Sequence, residues 1–192
     1  MPGVAGSTRV AGYDPDHYRD VWLNRERYEG AATEDSESED SRWKSAARRQ
    51  KERDFEMAKT CVRPVFISPR GNEQLVANIR HIKPRDGWYD VHAHGQPGSV
   101  KVFGTSGVEP RELAHIIRQR DDYHGEPIRL FSCHSAEEDV DGRCFGRELA
   151  DIMEVDVDAA PGTTQIMPDG RFVFDTTGDD KFVPFHGGGG EK

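Results

Sequence analysis

Apolar runs separated by turn-forming and charged residues predict an α/β domain from about residue 61 onward. Residues 73–82 carry apolar side chains at helical spacing and stop before Pro84. Residues 88–93 and 128–132 are short apolar runs, which is typical of buried strands. Thr105 or Ser106 precedes a predicted helix that has Pro110 near its first turn and ends near Gly125. The same criteria predict strands over residues 62–67, 99–103, 155–157 and 181–185, and a helix over residues 142–153.

The order of these elements favours a mostly parallel sheet flanked by helices. From residue 88 the chain runs strand, helix, strand, helix, strand. Right-handed crossover connections through the helices join strands that run in the same direction, so this order predicts a parallel sheet. Pro168-Asp169-Gly170 lies between two short apolar runs and predicts a C-terminal β-hairpin. Sites in such sheets lie outside the carboxyl ends of the strands. His94 and Cys133 both fall at that position.

Composition divides the chain into three predicted parts. Residues 34–40 form an acidic run without an apolar residue, and residues 42–59 form a basic segment that lacks Gly and Pro and favours helix. We therefore predict a polar N-terminal extension, partly disordered or helical, over residues 1–60. The folded domain is expected over residues 61–186, followed by a flexible glycine-rich tail over residues 187–192.

Charge and cysteine content exclude several kinds of partner and site. The net charge of −9 argues against nucleic acid or an anionic membrane as the main partner. Three scattered cysteines give neither a disulfide framework nor the spacing of a structural zinc site. The sequence has no apolar run long enough to span a bilayer and no visible signal peptide. It is also compatible with a piece of a larger exported protein, so localisation stays open.

The candidate chemistry lies at two strand ends. His94-Gly95 follows one predicted strand, and Cys133 ends the other. If the two strands are adjacent and parallel, an imidazole that accepts a proton lies beside a thiol that attacks, as a cysteine peptidase requires. The N–H groups of Gly95 and Cys133 are the candidate oxyanion hole. Taken alone, Cys133 is better explained as a buried packing residue, and His94 is compatible with a loop histidine beside a turn glycine. Their positions at matching strand ends favour the catalytic pair.

Other polar residues near these ends leave alternatives open. Strand alternation places His92 and His94 on one face, so a metal site with Cys133 or Asp90 is conceivable. We do not expect it, because no further ligand has a recognisable spacing, and we predict no metal or cofactor. Asp90, His92, Ser132 and His134 remain as supporting residues.

The arrangement resembles the caspase-like (clan CD) cysteine peptidases. The closer likeness is to the autoprocessing cysteine protease domain of MARTX and large clostridial toxins, and to related domains of bacterial polymorphic toxins. It rests on the order of His94-Gly95, the segment Pro110-Arg111-Glu112-Leu113-Ala114, Cys133, Phe145-Gly146, and a hairpin over residues 164–174. The likeness covers about residues 63–185.

The resemblance implies a His94–Cys133 dyad, a caspase-like sheet and a hairpin flap. It also implies a toxin or effector that cuts its own chain upstream of the domain and acts in a target cytoplasm. That family is activated by inositol hexakisphosphate through a basic surface. The flap here carries four aspartates against two basic residues, so this activation is not expected, although basic residues at positions 63, 70, 80 and 83 leave it open.

Three functions therefore compete. The first is a cysteine endopeptidase that acts on a protein or peptide, its own residues 1–60 included. The second is an effector that uses the same thiol for acyl transfer or deamidation. The third is a non-catalytic binding domain in which His94 and Cys133 are fold residues.

Overall fold

The computed structural model describes residues 39–188. Contacts divide the chain into two units, residues 1–42 and residues 43–192, and the second unit holds all nine strands of the described part. The predicted acidic run at residues 34–40 lies mostly outside the described residues. Within residues 39–188, no helix is long and apolar enough to cross a membrane.

The described residues form four helices and nine strands. The helices are α1 (Glu39–Thr60), α2 (Glu73–Ile79), α3 (Pro110–Arg118) and α4 (Phe145–Met153). The strands are β1 (Tyr89–His92), β2 (His94–Gln96), β3 (Ser99–Val102), β4 (Thr105–Val108), β5 (Ile128–Phe131), β6 (Val157–Ala159), β7 (Thr164–Ile166), β8 (Phe172–Phe174) and β9 (Val183–Phe185).

A four-stranded mixed sheet forms the centre, in the order β1-β5-β6-β9. The strands β1, β5 and β6 are parallel, and β9 is antiparallel to β6. All four residues of β5 are buried, and this strand lies between β1 and β6. The prediction of an α/β protein with a mostly parallel sheet is therefore confirmed.

One face of the sheet is covered by α2 and by the hairpin formed by β7 and β8. Phe131 on β5 belongs to an apolar cluster with Val76 and Ile79 of α2. Phe172 of the hairpin meets the Phe131 ring edge-on, with 5.0 Å between the centroids. Asn78 of α2 also donates a hydrogen bond to a carbonyl of the hairpin. The site at the end of β5 thus lies between a helix and a hairpin.

The helix α1 packs on the folded domain through a buried carboxylate. Asp54 is only 2% exposed and accepts a hydrogen bond from the Thr105 hydroxyl at 2.7 Å. The buried Arg120 guanidinium donates to the carbonyls of Ala58 and Cys61 at the end of this helix. The predicted helix over residues 42–59 is confirmed and is held by specific polar contacts.

Several predicted elements differ from the observed ones. The predicted strand over residues 62–67 is reduced to a single parallel bridge between Val65 and His92. Residues 105–108 form β4, so the predicted cap at Thr105 or Ser106 is wrong, and Glu109 caps α3. The helices α2 and α3 end earlier than predicted, at Ile79 and Arg118.

The predicted strand over residues 88–93 does not lead directly into His94. It ends at His92, and His94 begins the next strand, β2. Together with β3 and β4, β2 forms a separate antiparallel sheet. Residues 99–103 were predicted as a hairpin partner of that strand or as a neighbouring strand. They form β3, which pairs with β2 and β4 and not with β1. The predicted strand over residues 155–157 lies two residues later, as β6.

Candidate active site

Register brings His94 and Cys133 to one edge of the sheet. The parallel pair β1 and β5 ends with His92 opposite Phe131, and the Ala93 N–H continues the ladder to the Phe131 carbonyl at 3.1 Å. His94 and Cys133 each lie two residues beyond this last pair. Neither continues the ladder, because His94 begins β2 of a separate sheet and Cys133 lies in a turn. The two segments that carry them come into contact at Gly95.

The absence of a side chain at Gly95 allows two backbone segments to come into contact. A Cβ atom at this position would lie 2.6 Å from the Cys133 carbonyl oxygen and 2.1 Å from the Ser132 hydroxyl. The space beside this glycine is filled by the loop that carries Cys133. The absence of a side chain is therefore required by the contact between two backbone segments.

The His94 imidazole is half-buried and tied to α2. Its Nε2 lies 3.1 Å from Oδ1 of Asn72, the residue that precedes α2. Burial lowers the pKa of His94, and the positive charge of Lys101, its partner on β3, lowers it further. Within the described residues, no hydrogen bond links His94 to Cys133.

The Cys133 thiol is partly exposed and faces the hairpin. Its Sγ accepts a hydrogen bond from the Thr164 N–H at 3.4 Å. The next residues bind the segment that leads into β7, because the N–H groups of His134 and Ala136 donate to the carbonyls of Gly162 and Ala160. These hydrogen bonds hold the Cys133 loop and its thiol against the hairpin.

Two backbone N–H groups are free to face the site. In the two-residue turn of the β2–β3 hairpin, Gln96 and Ser99 form the hydrogen-bonded pair, so the N–H of Gly95 points away from β3. Among the described residues, the N–H of Cys133 has no backbone acceptor. The oxyanion role of Gly95 and Cys133 stays a prediction.

Asp90 and His92 lie below the site and support the fold. Both guanidinium contacts from Arg129 to the Asp90 carboxylate measure 2.6 Å. His92 stacks on Phe131 with 4.5 Å between the ring centroids. The pKa of His92 is lowered to about 3, mainly because the ring is buried and further because of the positive charges of Arg129 and Arg63. This imidazole is therefore neutral at pH 7.

Ser132 and His134, on either side of Cys133, have different surroundings. The Ser132 hydroxyl is fully buried and has no hydrogen-bond partner. His134 adopts a left-handed backbone conformation with φ of 59°. Its Nδ1 lies 2.8 Å from a Glu137 carboxylate oxygen, and its Nε2 lies 3.3 Å from the Thr163 hydroxyl. Both ring nitrogens of His134 thus contact neighbouring residues, Glu137 in the loop and Thr163 before the hairpin.

The sequence reasoning missed Asn72 and Thr164 as site residues. Asn72 has the residue type and position of an ordinary helix cap, so nothing local signals its contact with a histidine 22 residues away. Thr164 was placed in the hairpin, but no pattern shows that its N–H reaches a sulfur. Across residues 39–188, no grouping of three or more His, Cys, Asp or Glu side chains is suited to a metal ion.

The comparisons with known proteins identify a family without a described activity. No curated protein and no solved structure matches the chain. One family model matches residues 62–174, more than half of the chain, and this segment includes Asn72, His94, Cys133 and Thr164. The chain therefore belongs to the family described as Domain of unknown function (DUF8616).

Proposed function

We propose that this protein is a cysteine peptidase in which Cys133 is the nucleophile and His94 is its general base. The observation that carries the proposal is the close contact of Gly95, the residue after His94, with the backbone of Cys133 at the carboxyl ends of the parallel strands β1 and β5. The hydrogen bond from the Thr164 N–H to the partly exposed Sγ adds to it, because it holds the sulfur in place.

The reaction follows from these positions. His94 takes the thiol proton, and the Cys133 sulfur attacks the carbonyl carbon of the scissile peptide bond. The N–H groups of Gly95 and Cys133 donate to the resulting oxyanion. Collapse of this intermediate breaks the C–N bond, and the leaving amine receives the proton from the imidazolium. Water then hydrolyses the thioester and restores the thiol.

The resemblance to toxin autoprocessing domains supports a narrower proposal. In it, the peptidase is one module of a bacterial toxin or effector, and its substrate is a protein chain, residues 1–60 included. Around the hairpin, Asp169, Asp175 and Asp179 all have lowered pKa values, because each carboxylate accepts local hydrogen bonds. A surface that carries these anions disfavours a polyphosphate activator, so activation by inositol phosphate is not part of the proposal.

The test compares the wild type with Cys133→Ala, His94→Gln and a matched control, Cys144→Ala. Cys133 is partly exposed, whereas Cys61 and Cys144 are buried, so iodoacetamide should modify Cys133 first. We expect His94→Gln to slow this alkylation at pH 7, and we expect the wild type and Cys144→Ala to cleave a peptide library or their own chain. Cleavage that persists in Cys133→Ala would refute the proposal. A mass added to a target protein, without cleavage, would instead indicate acyl transfer.

A second candidate nucleophile is the Thr163 hydroxyl. It lies 3.3 Å from His134 Nε2, and His134 Nδ1 lies 2.8 Å from Glu137, which is the connectivity of a hydroxyl–imidazole–carboxylate triad. The variant Thr163→Val separates the two sites. A thiol peptidase keeps Cys133 alkylation and cleavage in this variant. Loss of cleavage in Thr163→Val, with retention in Cys133→Ala, would assign the chemistry to Thr163.

A further inference from the structure

Asn72 occupies the N-cap position of α2 but does not cap the helix. An N-cap asparagine normally accepts a hydrogen bond from one of the first helical N–H groups, a contact that contributes about 1 kcal/mol. Asn72 makes no such side-chain bond. Its Nδ2 donates instead to the Ser68 carbonyl at 2.9 Å, and its Oδ1 lies 3.1 Å from His94 Nε2. The side chain thus stabilises His94 rather than its own helix.

These two contacts fix the orientation of the amide. The Ser68 carbonyl only accepts hydrogen bonds, so the NH₂ end of Asn72 must face it and the oxygen must face the imidazole. The oxygen also only accepts, so His94 Nε2 must carry a hydrogen. In the neutral imidazole, the lone pair is then on Nδ1. The backbone of Asn72 is itself fixed, because its N–H donates to Pro69 and its carbonyl accepts from Val76.

We propose that Asn72 is a positioning residue that holds neutral His94 as the Nε2–H tautomer, so that Nδ1 is the atom that accepts the proton of Cys133. The catalytic consequence rests on the proposed function, whereas the tautomer does not. Asn72 acts only through His94. It lies at the start of α2, and neither His94 nor Cys133 belongs to that helix.

An amide suits this position better than a carboxylate if the imidazole must be neutral before reaction. Lys101 on β3 is the charged group that acts on the His94 imidazole. The Glu73 carboxylate next to Asn72 is turned to the Gly71 N–H. A carboxylate at position 72 would favour the imidazolium and raise the pKa of His94. The uncharged oxygen of Asn72 orients the ring without this effect.

The direct test is the tautomer of His94 in the full-length protein. Long-range ¹H–¹⁵N correlation spectra of ¹⁵N-histidine-labelled protein distinguish the two neutral tautomers, and His94→Gln identifies the His94 signals among those of the eight histidines. We expect an Nε2–H pattern for His94 above its pKa. An Nδ1–H pattern, or the mixture shown by an exposed histidine, would overturn the inference.

Variants at position 72 separate positioning from helix stability. Asn72→Ser provides a good N-cap but is too short to reach His94, so α2 should keep its stability while the tautomer preference is lost. If the peptidase proposal holds, cleavage should fall by up to about 100-fold, the loss typical of a reacting group misplaced by about 1 Å. Asn72→Asp should raise the pKa of His94 measured in the same spectra. An unchanged tautomer in Asn72→Ser would overturn the inference.

Failure of this inference and failure of the proposed function are distinguishable. If no variant and no wild-type sample cleaves peptide, the spectra still decide the role of Asn72. If the wild type cleaves and Asn72→Ser cleaves equally well, the peptidase proposal stands and the positioning role of Asn72 is refuted.

Discussion

Replacement of Gly95 by alanine should separate the two halves of the candidate site. The added Cβ would lie 2.1 Å from the Ser132 hydroxyl, 2.6 Å from the Cys133 carbonyl oxygen and 3.3 Å from the Cys133 nitrogen. Two of these three atoms belong to the backbone, so rotation of a side chain cannot remove the overlap. The β2–β3 hairpin or the Cys133 loop must move, and either movement displaces His94 from Cys133.

The expected cost lies at the upper end of that found for overpacked sites, about 3 kcal/mol. In a chain of this length each kcal/mol lowers Tm by roughly 2–4 °C, so Tm should fall by roughly 6–12 °C. Urea unfolding followed by near-ultraviolet circular dichroism measures the free energy of unfolding, and the alkylation rate of Cys133 reports on the site.

Two further variants test the physical reason. Gly104→Ala is the matched control, because its Cβ would lie 3.2 Å from the nearest atom, an Asp54 carboxylate oxygen, and should cost less than about 1 kcal/mol. Ser132→Ala removes one of the overlapping atoms, and since that hydroxyl has no hydrogen-bond partner, its loss alone should be nearly neutral. Combined with Gly95→Ala it should recover about 1 kcal/mol. A Gly95→Ala protein with unchanged stability and unchanged alkylation would refute the reasoning.

Two other predictions concern the polar residues below the site. Arg129→Met leaves the Asp90 carboxylate without its partner, and since these side chains are only 9% and 19% exposed, urea unfolding should show a loss of about 3 kcal/mol. The exposed Arg171–Asp169 pair provides the control, and Arg171→Met should leave the free energy of unfolding nearly unchanged. The pKa of His92 is lowered to about 3 when folded, so the unfolded chain binds the proton first and stability should fall as the pH drops from about 6.5 towards 3. His92→Leu should lose less stability than the wild type between pH 7 and pH 5, and equal losses would contradict this assignment.

The sequence predicts a strand where the strand is buried and mostly apolar. It does not predict a strand whose residues are polar and which forms only because a neighbouring strand pairs with it. The apolar run that contains β5 needs no partner to be recognised, and the Pro168-Asp169-Gly170 turn fixes the hairpin of β7 and β8 locally. By contrast, β4 consists of Thr105-Ser106-Gly107-Val108, which has the composition of a helix cap, and only its pairing with β3 makes it a strand.

The start of β6 shows a second kind of limit. Residues 155–159 alternate between apolar and acidic or small residues, so the pattern alone allows a strand to begin at Val155 or at Val157. The helix α4 ends with Glu154 in the left-handed conformation, with φ of 59°. The chain therefore needs two more residues to reach the sheet, where Val157 pairs with Ile128.

For the site, the strand pattern located His94 and Cys133 because both follow apolar runs that become neighbouring strands. It did not locate the residues that contact them. Asn72 and Thr164 come from α2 and β7, which approach the sheet edge only in the folded chain. Candidate reactive residues could thus be predicted from local pattern, whereas the residues that contact them depend on tertiary packing.

The contact at Gly95 also changes what the His-Gly pair can be taken to show. A glycine is required after His94 by the approach of the Cys133 loop, whether or not the protein is an enzyme. Packing alone therefore explains this part of the motif. It does not explain why the Asn72 amide is turned from the N–H groups of its own helix to a histidine ring. A purely structural His94 would gain little from a fixed tautomer, whereas a general base must present its lone pair in one direction. Asn72, which no local pattern reveals, thus distinguishes the catalytic interpretation from the structural one better than the motif does.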